Sequence, residues 1–125
     1  MVVLLEGLTW EIIGAAMEVH QTLGAGFVES IYRNALSYEL QSRGVSFDTE
    51  HEIRIAYKNQ LVGRHRLDLL VDRRVIVELK ATTSIAEVHV SQALSYLQAT
   101  TVEVALIINF GTPRLTWKRL VKSRN

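Results

Sequence analysis

The chain has 125 residues, a formal net charge of +1 and no cysteine. This length is typical of one domain with its own core, and the lack of cysteine excludes disulfides, thiolate metal sites, thiol nucleophiles and iron–sulfur clusters. The apolar start, MVVLLEGLTW, has no basic segment and carries glutamates, so it predicts neither a signal sequence nor a membrane span. We expect a single domain over residues 1–125, located in the cytoplasm.

Two helices are predicted at the start of the chain. Thr9 is a candidate N-cap for the first helix, which the glycines of LGAG end. The second helix is predicted from Val28 to Arg43, with Gly44 as its C-terminal stop.

Three strands follow, with the sequences HEIRIAYK, LVGRHRLDLLV and RVIVELKA. They are rich in strand-forming residues and are separated by turn-forming segments. Ser84 and Glu87 then form a candidate capping box at the start of a third helix, which should end near Ala99. The segment VALIINF, residues 104–110, is apolar on both faces and indicates a buried strand. The predicted order is αα-βββ-α-β.

The end of the chain is basic. It is interpreted as a tail that either follows a phosphate backbone or is simply solvated, and it contains five cations and no acid: Arg114, Lys118, Arg119, Lys122 and Arg124.

Alternation along the strands predicts which charges share a face. In the second strand the odd-numbered residues near the end are apolar, and Arg64, Arg66 and Asp68 are even-numbered. In the third strand Glu78 and Lys80 are even-numbered. If the odd faces of both strands meet the helical core, all five charges lie together on the other face.

A three-residue loop at 72–74 sets Val71 opposite Val75, and therefore Asp68 opposite Glu78. Two carboxylates so close repel each other unless a cation lies between them. An oxygen-only ligand set favours magnesium or manganese over zinc. The alternative is a surface network in which Asp68 pairs with Arg66 or Lys80.

Two helices carry further polar candidates. Glu29 lies at helical spacing from Tyr32 and is predicted to face the interior, although a charge that complements the helix dipole is an adequate alternative. In the third helix His89, Gln92 and Tyr96 form a stripe that either lines a site or faces solvent.

The segment GFVESIY together with RLDLLVDRRVIVELKA resembles the GxxExxY proteins, a family similar to small members of the PD-(D/E)XK nuclease superfamily. The resemblance runs from about Ile12 to Arg114. It implies an α/β fold with a mixed sheet, in which an αβββαβ core with an additional N-terminal helix forms three layers, helix/sheet/helix. The turn lacks the glycine expected after Asp72, which leaves the loop geometry open.

The resemblance implies roles for named residues. The expected catalytic residues are Glu29, Asp68, Glu78, Lys80 and Gln92. The expected ligands of Mg²⁺, for which Mn²⁺ could substitute, are Asp68, Glu78, the backbone carbonyl of Leu79 and Glu29. The expected nucleic-acid contacts are Arg64, Arg66, Tyr96, Lys118 and Arg119.

The predicted function is metal-dependent hydrolysis of phosphodiester bonds in nucleic acid, with DNA favoured over RNA and a homodimer left open. One alternative is a binding module that keeps the fold and cuts nothing. Another is a subunit whose protein partner completes the site.

Overall fold

The computed structural model describes residues 5–123, so Arg124 of the basic segment lies outside the described residues. The elements in chain order are α1 (Glu6–Leu23), α2 (Glu29–Ser42), β1 (Phe47–Tyr57), β2 (Gln60–Val71), β3 (Val75–Lys80), α3 (Glu87–Gln98), β4 (Val104–Asn109) and β5 (Thr116–Val121).

The strands form one mixed sheet in the order β1-β2-β3-β4-β5. β3 and β4 are parallel, and the other neighbouring pairs are antiparallel. A parallel pair needs a crossover connection, and α3 supplies it. The prediction of an α/β fold with a mixed sheet is confirmed.

Helices cover both faces of the sheet and produce two apolar clusters. On one face α1 and α2 pack on the sheet through buried residues such as Ile12, Tyr32 and Leu36. On the other face α3 packs through Ala93 and Leu97. The three layers are those expected from the resemblance.

Two helix starts differ from their predictions. α1 begins at Glu6, and Thr9 is an internal helical residue whose N–H donates to the carbonyl of Leu5. α3 begins at Glu87, so the capping box predicted from Ser84 is wrong. The side chain of His89 replaces it, since its Nδ1 accepts from the N–H of Ala86 at 3.0 Å.

The basic segment is not a tail over its described length. Residues Thr116–Val121 form β5, which pairs with β4 at the edge of the sheet. An edge strand with lysine is common because charged side chains discourage pairing with a further strand. Adjacent residues of a strand point to opposite faces, so Lys118 and Arg119 do not share a face.

The predicted register of the β2–β3 hairpin is confirmed, with Val71 opposite Val75 and Leu69 opposite Val77. The loop uses left-handed backbone at Asp72 and Arg73, with φ of 52° and 56°. Glycine is the usual residue in this conformation, but an aspartate and an arginine adopt it here.

The alternation of β2 inverts near Asp68. Leu69 packs in the cluster under α1 and α2, whereas Leu67 packs in the cluster under α3. The facing residue of β1, Glu50, has a positive φ of 51°, so both strands are distorted at this level. The expectation that all odd-numbered residues of β2 share one face is therefore wrong.

Within residues 5–123, none of the helices combines the length and the apolar character that crossing a membrane requires.

Candidate active site

Asp68 and Glu78, called the carboxylate pair below, lie just past the regular β2–β3 ladder. Glu78 Oε2 accepts from the backbone N–H of Asp68 at 2.8 Å, and Asp68 Oδ2 accepts from the backbone N–H of Leu79 at 2.8 Å. Each carboxylate thus takes a backbone donor of the other strand. The predicted juxtaposition is present, and the side chains satisfy amides that would otherwise be left open.

The second oxygen of each carboxylate meets a basic side chain. Arg33 Nη1 of α2 lies 3.7 Å from Asp68 Oδ1. His65 Nε2 lies 3.2 Å from Glu78 Oε1. Neither partner was among the predicted site residues, and the pairings proposed for Asp68 with Arg66 or Lys80 do not occur among the described contacts.

Glu78 is the most buried acid of the site, with 7% of its surface exposed. Burial raises the pKa of its carboxyl, and the negative charge of Asp68 acts in the same direction. The hydrogen bonds from the Asp68 amide and from His65 oppose this rise. An acid held in such surroundings gains from a nearby cation, because the cation favours the charged form.

Tyr96 of α3 covers His65. The two rings are stacked, with centroids 4.1 Å apart and an interplanar angle of 14°. Burial raises the pKa of the Tyr96 hydroxyl, and the charges of Glu78 and Asp68 add to the rise. Tyr96 therefore lies beside the carboxylate pair, and its role stays a prediction.

Lys80 belongs to the same face as Glu78. Both are even-numbered residues of β3, as is Ile76, which packs under α3. The Lys80 side chain is half-buried, and within residues 5–123 its ammonium group takes part in no hydrogen bond or ion pair. It is therefore available to an incoming anion or water.

The carbonyl of Leu79 also points toward β2. In a strand the N–H and C=O of one residue lie on the same side, and the N–H of Leu79 donates to Asp68. The next carbonyl, that of Lys80, accepts from Phe110 beyond β4. The Leu79 oxygen therefore lies on the side of β3 that faces β2 and the carboxylate pair.

Two predicted site residues lie outside this cluster. Glu29 is exposed in the first turn of α2, so the prediction that it faces the interior is wrong. The buried stripe of α2 begins one turn later at Tyr32. Gln92 of α3 is also exposed. Glu29 precedes Arg33 by one helical turn, which keeps it on the side of α2 that approaches Asp68.

Arg64 and Arg66 lie on the opposite face from His65, because alternate residues of β2 point to opposite sides. Arg64 pairs with Glu52 at 3.2 Å, and Arg66 lies 3.9 Å from Glu50. The prediction that they share the face of Glu78 is wrong, and the inversion at Asp68 is the reason.

Of the two predicted contacts on β5, only Lys118 is on the face of the carboxylate pair. It lies opposite Ile107 of β4, which in turn lies opposite Glu78. Arg119 lies opposite Leu106, whose side chain packs under α1 and α2. A continuous basic track through both residues is excluded.

The donor set fits a hard divalent cation. Two carboxylates and one backbone carbonyl converge between β2 and β3, and oxygen ligands of this kind suit Mg²⁺, which keeps several waters. Within residues 5–123, no three side chains of the His, Cys, Asp and Glu types cluster closely enough to form a metal site. The remaining positions would fall to water and substrate.

The family assignment rests on sequence. A family model described as the PD-(D/E)XK nuclease superfamily matches residues 6–120. The chain belongs to this superfamily. No curated protein matches it, and membership of the narrower GxxExxY family stays a prediction.

A solved structure with low sequence identity supports the fold. The chain is similar to the crystal structure of SSO0001, with a TM-score of 0.60 and 17% identity over 77% of this chain and 50% of that one. It thus spans about half the length of that protein. An alkaline exonuclease from Laribacter hongkongensis is also similar, with a TM-score of 0.49 and 10% identity over 87% of this chain and 68% of that one.

Proposed function

We propose that the protein is a metal-dependent nuclease that hydrolyses phosphodiester bonds, with DNA favoured over RNA and the cytoplasm as its compartment. The observation that carries the proposal is the carboxylate pair on adjacent strands, with Lys80 on the same face. Family membership over residues 6–120 supports it.

The proposed ligands are Asp68, Glu78 and the carbonyl of Leu79, with Glu29 acting through a water molecule. Magnesium is the expected ion, and manganese should substitute for it, because both prefer oxygen ligands. A divalent ion held there would polarise a phosphodiester oxygen and lower the pKa of a bound water.

The chain's own residues supply the remaining steps. Lys80 Nζ is proposed to orient the attacking water or, as a neutral amine, to accept its proton, and as an ammonium to offset charge that develops on the phosphate. Gln92 and Tyr96, one turn apart on α3, would position that water or the phosphate. Attack of water on phosphorus with departure of the 3′ oxygen leaves a 5′-phosphate and a 3′-hydroxyl.

Cations outside the site would position the substrate. Lys118 lies two strands from Glu78 in the same row of the sheet, and adjacent strands are about 4.8 Å apart. On the opposite face of the β1–β2 hairpin, Arg54 lies directly opposite Arg64. Glu52 offsets the charge of Arg64 at 3.2 Å, so the exposed Arg54 is the more available phosphate contact of the two. Arg66 extends that face.

One observation favours the alternative of a non-catalytic binding module. Arg33 lies 3.7 Å from Asp68, and His65 contacts Glu78 at 3.2 Å, without a metal ion. A site balanced in this way is stable as a surface network and needs no ion to explain it.

A cleavage assay separates the two functions. Plasmid, linear, branched and single-stranded substrates are incubated with Mg²⁺, with Mn²⁺ and with EDTA. Asp68→Ala is the test variant and Asp48→Ala is the matched control, because Asp48 is an exposed acid of β1 away from the site. The nuclease predicts ion-dependent cleavage that Asp68→Ala alone abolishes. Nucleic-acid binding without cleavage would favour the binding module.

A further inference from the structure

The distortion of β2 at Asp68 changes the face on which earlier residues of the strand lie. Leu67 packs under α3, whereas Leu69 packs under α1 and α2. His65 has the same parity as Leu67, so it is on the α3 side with Glu78. Regular alternation would have placed it in the opposite layer, away from the carboxylate pair.

His65 is held on two sides. The ring edge meets Glu78, with Nε2 3.2 Å from Oε1, and the ring face stacks on Tyr96 at 4.1 Å. The Glu78 side chain is 9% exposed and that of His65 is 33% exposed. The imidazole therefore connects β2, β3 and α3 at the position of the buried acid.

Glu78 is in turn held at both oxygens. Oε2 accepts from the N–H of Asp68, and Oε1 meets His65. Each carboxylate oxygen has two acceptor positions, so both remain able to face a cation. A glutamate fixed in this way loses little side-chain entropy when it binds an ion.

We propose that His65 is a positioning residue that fixes the orientation of Glu78 as a metal ligand, and that Tyr96 fixes the imidazole through stacking. This role rests on the proposed function, since it presupposes that Glu78 holds a divalent ion. Partners that orient metal ligands commonly contribute about 10–100-fold to metal affinity.

Two substitutions at His65 separate the hydrogen bond from the stacking. His65→Phe keeps an aromatic ring against Tyr96 and removes the nitrogen that meets Glu78. His65→Gln removes the ring and keeps an N–H donor near the position of Nε2. Tyr96→Phe keeps the stacked ring and removes only the hydroxyl.

The measurement is calorimetric binding of Mn²⁺ to the folded proteins without nucleic acid. We expect affinity to fall about 10-fold or more in His65→Phe, to stay within about threefold in His65→Gln and Tyr96→Phe, and to disappear in Asp68→Ala. If His65→Phe does not fold, His65→Asn takes its place, because its shorter side chain withdraws the donor from Glu78.

Unchanged affinity in His65→Phe, with binding still lost in Asp68→Ala, would overturn the role of His65 and leave the nuclease proposal intact. An equal loss in His65→Phe and His65→Gln would also overturn it, because the hydrogen bond would then not be the cause. Absence of Mn²⁺ binding by the wild-type protein would overturn both proposals.

Discussion

The two halves of β3 differ in what they contribute to the protein. Val75, Ile76 and Val77 are fully buried and pair regularly with β2 and β4. From Glu78 onward β3 remains paired with β4, but on the β2 side carboxylates bind the backbone amides of the other strand. The first half therefore fixes the register, and the second half uses that register to bring two charges together.

The largest predicted effect is on activity, in the second half. Asp68→Ala should reduce cleavage by roughly a thousandfold or more, because it removes a proposed metal ligand. The melting temperature should fall by only about 3 °C, because relief of the repulsion with Glu78 offsets most of the loss of the Leu79 N–H bond and of the mostly buried pairing with Arg33. Cleavage kinetics and thermal unfolding check the two effects. A fall above about 10 °C would indicate a structural role.

The reverse result is expected in the first half. Ile76→Ala should lower the free energy of unfolding by about 2–5 kcal/mol, because it leaves a cavity under α3. Cleavage per folded molecule should stay within about threefold of wild type. Urea unfolding measures the loss, and assays well below the unfolding midpoint measure activity. Loss of activity in the fully folded variant would contradict the division of β3.

The buried charge of Glu78 predicts a pH effect on stability. The pKa of Glu78 is higher in the folded protein than in the unfolded chain. Above the folded pKa the buried charge lowers the free energy of unfolding, and below the unfolded pKa, near 4, this loss is absent. Glu78→Gln should therefore raise the free energy of unfolding at pH 8 and leave it nearly unchanged at pH 4. Urea unfolding at both pH values tests this. A destabilised variant at pH 8 would show that the charge is already well compensated.

The smallest effect concerns the opposed arginines of the hairpin. Arg54→Gln should weaken DNA binding and reduce the slope of log affinity against log salt by about 1, since one phosphate contact is lost. Arg74→Gln, in the turn at the other end of β2, is the control. A titration series in salt measures both. If Arg54→Gln and the wild-type protein have equal slopes, that face is excluded from the DNA interface.

Much of this arrangement could be predicted from sequence. The loop of three residues after Val71 determines the register, and the register places Asp68 opposite Glu78. Glycines at 24 and 44 mark the ends of two helices because both take a positive φ. These features depend on short stretches of chain, and local rules describe them well.

His65 could not be found in the same way. Leu67 and Leu69 are both apolar and odd-numbered, so the pattern gives no sign that they pack in different clusters. The available signal is Leu70, an apolar residue at an even position, which indicates that this part of β2 is covered on both faces. Leu70 shows only that both faces are covered there, and it does not show where the alternation changes.

The predictions for Glu29 and for the basic segment were also wrong. The stripe through Tyr32 predicted a buried Glu29, but the core ends before the first turn of α2. Lys118 and Arg119 are adjacent cations, and together they obscured the alternation of an edge strand. In both cases the outcome depends on how the element packs in the folded protein, which the local pattern does not determine.

The location of a bound ion would show directly whether the carboxylate pair holds a metal. Crystals soaked in Mn²⁺ would be measured for anomalous scattering. A metal site at the carboxylate pair predicts one peak between β2 and β3, within about 2.0–2.6 Å of oxygens of Asp68, Glu78 and Leu79. A peak elsewhere, or no peak while Arg33 and His65 still hold the carboxylate pair, would contradict it.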